Sequence, residues 1–166
     1  AALRLMGADI VEENHAEQGG EPVADLVVRY APLQGTRIPE ELVPDMIDEF
    51  PALFIAAAAA SGQTVVSGAA ELRVKESDRL AAMATGLRTL GVRVDETEDG
   101  ATIFGGGEIG GGTIESHGDH RIAMAFAIAG QLSTAEVRIN EVANVATSFP
   151  GFDTLASGAG FGISAG

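Results

Sequence analysis

The sequence predicts a mixed α/β (α+β) chain built from a repeated unit, and three observations carry that expectation. Helical and strand periodicities alternate along the chain rather than separating into blocks. A short pattern recurs: Leu3-Arg4-Leu5-Met6-Gly7-Ala8-Asp9-Ile10 returns as Leu87-Arg88-Thr89-Leu90-Gly91-Val92-Arg93-Val94, with a weaker copy at Gly160-Phe161-Gly162-Ile163. Each copy reads as a helix end, a glycine cap and the start of a strand. Residues 54–67 likewise echo residues 126–139, so the unit is roughly 70–85 residues long. Finally, hydrophobic residues make up 46% of the chain and aromatics only 5%. The core must therefore come from Ala, Val, Ile and Leu, which suits helices packed closely on sheets.

The elements follow in order. Residues 46–61 form an Ala-rich run expected to be a helix, and residues 63–67 a strand. Residues 75–90 place Leu80, Met83, Ala84, Leu87 and Leu90 at helical spacing, and Gly91 stops that helix. Residues 92–97 and 101–104 read as strands joined by a turn at Asp99-Gly100. The glycine-rich stretch 105–112 lacks the lysine of a phosphate-binding loop and reads as a plain flexible connection, with phosphate cradling the weaker alternative. Residues 119–132 read as a helix, 136–140 as a strand and 152–157 as a last short helix. The repeat units are expected at about residues 1–15, 16–105 and 106–166. The chain begins without Met, inside one helix, and stops inside a later strand. The expectation is a fragment or processed chain whose domain extends upstream.

Charge narrows the function classes. There are 10 Lys+Arg against 24 Asp+Glu, a formal net charge of −14. That argues against nucleic-acid binding, which needs a basic face. No cysteine is present, which excludes disulfides and thiolate metal sites. The most apolar run, residues 50–61, falls short of the ~20 residues that a membrane-spanning helix needs. No signal peptide is visible at the N-terminus.

The scarce cations are concentrated. Lys75, the single lysine, lies in Arg73-Val-Lys-Glu-Ser-Asp-Arg79, at an expected helix start. Cations oppose the helix dipole there, so the site makes sense if an anion sits among them. One reading of Lys75, Glu76 and Arg79 is a solvated helix start with a surface salt bridge. The other is an anion-binding rim beside an acid/base carboxylate, in which Glu76 needs partial burial to hold a proton near two cations. The second stretch is Gly118-Asp119-His120-Arg121-Ile122-Ala123-Met124. Asp119 suits a cap, and Arg121 is either an anion fork or structural. Asp48 sits among Asp45 and Glu49 ahead of the Ala-rich helix. Acids there are stabilising by themselves, so physics alone does not single it out.

Arg73-Val-Lys-Glu-Ser-Asp-Arg-Leu80 followed by Asp119-His-Arg-Ile-Ala-Met124 resembles the C-terminal part of the 5-enolpyruvylshikimate-3-phosphate synthase family. Met46-Ile-Asp-Glu-Phe-Pro51 and Ala146-Thr-Ser-Phe-Pro150 are similar to its bacterial subgroup that includes glyphosate-tolerant enzymes. The resemblance runs over essentially the whole chain. It implies most of the C-terminal lobe of a two-lobed enolpyruvyl transferase fold, made of βαβαββ units about a pseudo-threefold axis, with the N-terminal lobe absent.

The activity so implied is transfer of the enolpyruvyl group of phosphoenolpyruvate to the 5-hydroxyl of shikimate 3-phosphate, with release of phosphate. It implies no organic cofactor, no metal, and a cytoplasmic enzyme of aromatic amino-acid biosynthesis. By motif, Asp48 meets the shikimate hydroxyl as base, Lys75 binds that substrate, and Glu76 handles the proton at the methylene carbon. Arg79 and Arg121 grip phosphoenolpyruvate with His120 beside them. Many members carry a lysine where this chain has Thr147. The absent lobe supplies much of the shikimate 3-phosphate site, so the chain alone is expected to be inactive. Two alternatives remain: a non-catalytic folding or interaction fragment, and the related UDP-N-acetylglucosamine enolpyruvyl transferase of peptidoglycan synthesis, which lacks the Lys-Glu-Ser-Asp-Arg motif.

Overall fold

A computed structural model of the chain describes residues 1–164. A single helical turn, α1 (Ala2–Leu5), leads into a long antiparallel hairpin of β1 (Asp9–Gln18) and β2 (Glu21–Arg29). Gly19 and Gly20 join the strands with φ of 64° and 86°, the left-handed pair that a two-residue hairpin turn requires. A unit boundary at residue 15 would cut through β1, so the first segment runs to Arg29 instead. The hairpin escaped the periodicity reading because most of its residues are exposed on both faces, which leaves no apolar alternation. The Gly19-Gly20 pair was the available signal.

One complete β-α-β-α-β-β unit follows. Its first strand is the extended segment 33–38, which pairs in parallel with β3 (Gly62–Val66) at Gln34–Ser61 and Arg37–Val65. Next come α2 (Phe50–Ala59), β3, α3 (Arg79–Thr89), β4 (Arg93–Glu96) and β5 (Ala101–Gly105). β5 lies between β3 and β4, antiparallel to both. A third segment begins the pattern again with β6 (Gly112–Glu115), α4 (His120–Gly130) and β7 (Val137–Asn140), the two strands parallel. α5 (Ala143–Ser148) and α6 (Phe152–Gly158) complete the described elements. No described helix is long and apolar enough to cross a membrane.

The sequence repeat has a physical basis. Gly7, Gly91 and Gly160 have φ of 92°, 84° and 92°. Each follows a helix and is closed by the same two bonds. The outer bond runs from Ala8 N to Leu3 O at 2.9 Å, from Val92 N to Leu87 O at 2.9 Å and from Phe161 N to Ala156 O at 3.0 Å. The inner bond runs from each glycine N–H to Arg4 O, Arg88 O and Ser157 O, at 3.0 Å in all three. This is one C-terminal cap used three times, and only glycine takes that backbone without strain. Residues 161–164 follow the third cap without a paired strand.

The helices α2, α3 and α4 pack on one another, and α2 lies on β5, α3 on β4 and β6, and α4 on β7. α2 buries Phe50, Leu53, Phe54, Ile55, Ala57 and Ala58 over most of its circumference and leaves only a stripe of small residues, Ala52, Ala56 and Ala59, toward solvent. Phe54 and Phe126, the matching positions of the echoed segments, are both fully buried.

Two expected helices start later than their periodicity suggested. The run from residue 46 begins as a 3-10 turn, Pro44–Glu49, with Met46 outside helical geometry, and α2 starts at Phe50. Pro51 enforces this, because its missing N–H is tolerated only in the first turn. The run from residue 75 starts at Arg79, because Asp78 accepts from Ala81 N and caps there.

The glycine-rich stretch is not a slack connection. A Cβ on Gly105 would lie 2.1 Å from Ala57 O and 2.4 Å from Ala60 O, whereas Gly107 has nothing within 4 Å. Gly105→Ala should therefore destabilise the chain by about 1–3 kcal/mol through overpacking. Gly107→Ala should change stability by no more than about 0.5 kcal/mol. Paired denaturant titrations check this, and equal effects at the two positions would contradict the packing account.

Candidate active site

Three chain segments deliver charge to one place, the shared N-terminal end of the three packed helices. The 3-10 turn before α2 carries Asp48 and Glu49. Asp78 caps α3 and leaves Arg79 as its first residue, with Lys75 and Glu76 on the bend that leads into it. Asp119 caps α4 by accepting from Arg121 N at 2.9 Å, which places His120 and Arg121 in the first turn.

The three expected cations converge on Asp48. Arg79 Nη1 donates to Asp48 Oδ1 at 2.9 Å, and Lys75 Nζ lies 3.5 Å from the same oxygen. Arg121 Nη1 donates to the Asp48 carbonyl oxygen at 2.9 Å and to Glu49 Oε1 at 3.0 Å. Residues far apart in sequence thus share one centre. Asp48, which the sequence alone could not separate from its acidic neighbours, is the hub.

Arg79 explains the cations at the helix starts. Its side chain is 1% exposed, and a charge so buried must be paired. Arg79 Nε donates to Asp119 Oδ2 at 2.8 Å, Nη1 to Asp48, and Nη2 to Glu76. The chain's own carboxylates supply the anion at the α3 start. Asp119 is fully buried, accepts from Ser77 Oγ at 3.0 Å, and so binds both helix starts. Sequence reasoning took Asp119 for a cap and missed this second bond. Its only trace was the spacing of two acid-preceded helices.

Burial alone would raise the Asp119 and Asp48 pKa values. For Asp119, the Arg79 guanidinium outweighs burial; for Asp48, the charges of Lys75, Arg121 and Arg79 do. Both carboxyls are therefore held below the ordinary aspartate range. Lys75 is raised by its bond to Glu71, with Asp48 adding to it.

Glu76 is not on the helix, but it still pairs with Arg79, and its side chain remains 56% exposed. The burial that a proton-holding Glu76 needs is not supplied by the described residues. Glu76 instead lines a shallow open cleft of about 370 Å³ with His117, Gly118, His120, Asn144, Thr147 and Ser148. His120 therefore faces the same space as Glu76, and so does Thr147, the position where the family pattern has lysine. His117, not foreseen, adopts a left-handed backbone with φ of 54° at the lip of this cleft. Among the described residues no group of His, Asp or Glu is placed to hold a metal ion.

The Asp119–Arg79 pair gives a pH prediction. A depressed folded pKa contributes stability that is complete above the unfolded value, ~3.9 for aspartate, and is lost as pH falls toward the folded value. Asp119→Asn should cost about 3 kcal/mol at pH 7, the low end for breaking one side of a buried pair. The gap to the parent should narrow between about pH 5 and pH 3. Melting curves across that range check this, and a constant gap would contradict it.

The sequence profile described as EPSP synthase (3-phosphoshikimate 1-carboxyvinyltransferase) matches residues 1–155. The 3-phosphoshikimate 1-carboxyvinyltransferase of Xanthomonas oryzae pv. oryzae is 85% identical over 165 residues, covering 99% of this chain and 37% of that protein. The protein of the same name from Xanthomonas campestris pv. campestris is 83% identical, again covering 99% of this chain and 37% of its own length. A solved EPSP synthase from Acinetobacter baumannii superimposes with a TM-score of 0.93 at 52% identity, over 96% of this chain and 38% of that one. The chain thus spans about 37% of the length of the curated relatives it matches, and on its motifs, its fold and these matches it belongs to the EPSP synthase family.

Proposed function

We propose that this chain is most of the C-terminal lobe of a cytoplasmic enzyme that transfers the enolpyruvyl group of phosphoenolpyruvate to the 5-hydroxyl of shikimate 3-phosphate, releasing phosphate. The supporting observation is the convergence of Lys75, Arg79 and Arg121 on Asp48, with Glu76 and His120 lining an adjacent cleft. In this reading Asp48, kept ionised by its three cations, accepts the proton of the attacking hydroxyl. Lys75 binds shikimate 3-phosphate. Arg79 and Arg121 hold the carboxylate and phosphate of phosphoenolpyruvate, with His120 beside them. Replacing phosphate by an alkoxide at a vinyl carbon adds a proton to the methylene and later removes one, and Glu76 performs both transfers. An incoming anion competes with Glu76 for Arg79 Nη2, so binding of phosphoenolpyruvate frees the carboxylate that the chemistry needs.

The other lobe covers Glu76 and completes the shikimate 3-phosphate site. The isolated chain is inactive, because half a clamp cannot orient two anions. Thr147 in place of lysine agrees with the subgroup that includes glyphosate-tolerant enzymes. The Lys75-to-Arg79 motif favours this activity over the peptidoglycan transferase.

Phosphate release from the two substrates tests the reading. The complete protein should turn over and the 166-residue chain alone should not. In the complete protein Glu76→Gln should lower kcat by about 10²–10⁴-fold. Steady turnover by the chain alone, or full turnover of Glu76→Gln, would overturn the assignment. Arg121→Lys keeps the charge but loses the fork. It should weaken phosphoenolpyruvate binding by about ten- to a hundredfold, the worth of a charge-assisted bond, with little change for shikimate 3-phosphate. Separate binding titrations check this, and equal weakening of both ligands would make Arg121 structural.

A further inference from the structure

We infer that Arg73 is a positioning residue for Lys75 and Glu76, acting as a clasp between the loop that carries them and the turn of the β4–β5 hairpin; the inference rests on the proposed activity of the site. Arg73 opens the motif that holds Lys75 and Arg79, yet it does not line the cleft beside Glu76, and its hydrogen bonds go to none of the converging side chains. Each of its three guanidinium nitrogens donates elsewhere. Nε donates to Glu98 O at 2.6 Å, Nη2 donates to Glu96 Oε1 at 3.0 Å and also to Thr97 O, and Nη1 donates to Asp78 Oδ2 at 3.0 Å. Two of these acceptors are carbonyls of the turn after β4, one is the side chain of Glu96 at the end of β4, and the fourth is the α3 cap.

The same turn grips the other end of the loop. Gly68 N donates to Asp99 Oδ2 at 2.9 Å and Ala69 N to Asp99 O at 2.7 Å. Residues 68–78 are therefore fastened at Gly68 and Ala69, at Arg73, and at Asp78. Lys75 and Glu76 lie on the short bend between the last two fastenings. Arg79, by contrast, is held independently by Asp119 and Asp48. A planar five-donor fork can make these bonds together, and a lysine cannot. Loosening the clasp should misplace the groups assigned to shikimate 3-phosphate and to proton transfer while sparing those assigned to phosphoenolpyruvate.

The test uses the complete protein. Asp78→Asn keeps a good cap but drops the charge that Arg73 binds, so it guards against a simple failure of Arg73→Lys to fold. Each variant should lower kcat by about ten- to a hundredfold, the scale of a misplaced catalytic group. The KM for shikimate 3-phosphate should rise, and the KM for phosphoenolpyruvate should stay within about twofold. The double variant should lose no more than the worse single one, since both break one linkage. Unchanged kinetic constants with a lowered melting temperature would make Arg73 merely structural and overturn the inference, as would additive losses in the double variant. Glu76→Gln in the same assay separates the two levels. If it retains full turnover, the site reading falls and the inference with it. If it is inactive while Arg73→Lys and Asp78→Asn match the parent, only the inference falls.

Discussion

Arg79 carries a full charge into the interior, and the arrangement of the site follows from what must surround it. Its partners come from three segments: Asp48 ahead of α2, Glu76 ahead of α3 and Asp119 at the cap of α4. Desolvating such a group is costly, and its pairing recovers that cost without a large net gain. What the cluster contributes is geometry. Any displacement of one helix start strands a buried charge, and removing one partner of such a pair costs about 3–5 kcal/mol. The three helix starts are therefore locked together at one point.

The same cluster accounts for the charge balance of the site. Cations at helix starts oppose the dipole, and in this acidic chain they are held in place by internal carboxylates rather than left facing solvent. Arg121 donates to Asp48 O and Glu49 through Nη1 alone, and Lys75 pairs with Glu71 and Asp48. The cations are thus already assembled at one point and oriented, with exchangeable carboxylate partners at Glu76, Glu49 and Glu71. Glu76, Glu49 and Glu71 are exposed, whereas the buried Asp119 holds Arg79 from inside.

Much of this was legible in the sequence, and for identifiable reasons. The repeat of Gly7, Gly91 and Gly160 was visible because its cap requires glycine. The turn at Asp99-Gly100 and the apolar stripe of α3 were equally local signals. Charge and apolar content extend ahead of the true helix starts, which Pro51 and Asp78 mark. The β1–β2 hairpin is hard to see because its exposed strands lack a buried face, and β6 because it is only four residues long and begins at the last glycine of a glycine-rich stretch. Lys75, Glu76, Arg79 and Arg121 stand out in the sequence by residue type and context, and the structure brings them to one place. Asp119 as the internal partner of Arg79, and the role of Asp48 as hub, do not stand out there, because both depend on contacts between residues dozens of positions apart.

The central claim is that one buried cation ties three helix starts together. Hydrogen exchange at the amides of Ala82, Arg121 and Ala123, which bond to Asp78 O, Asp119 Oδ1 and Asp119 O, tests it directly in the parent and in Arg79→Lys. The account predicts that protection at the α3 and α4 starts falls together, while the glycine-capped helix ends keep theirs. Loss of protection confined to α3, with α4 unaffected, would contradict it.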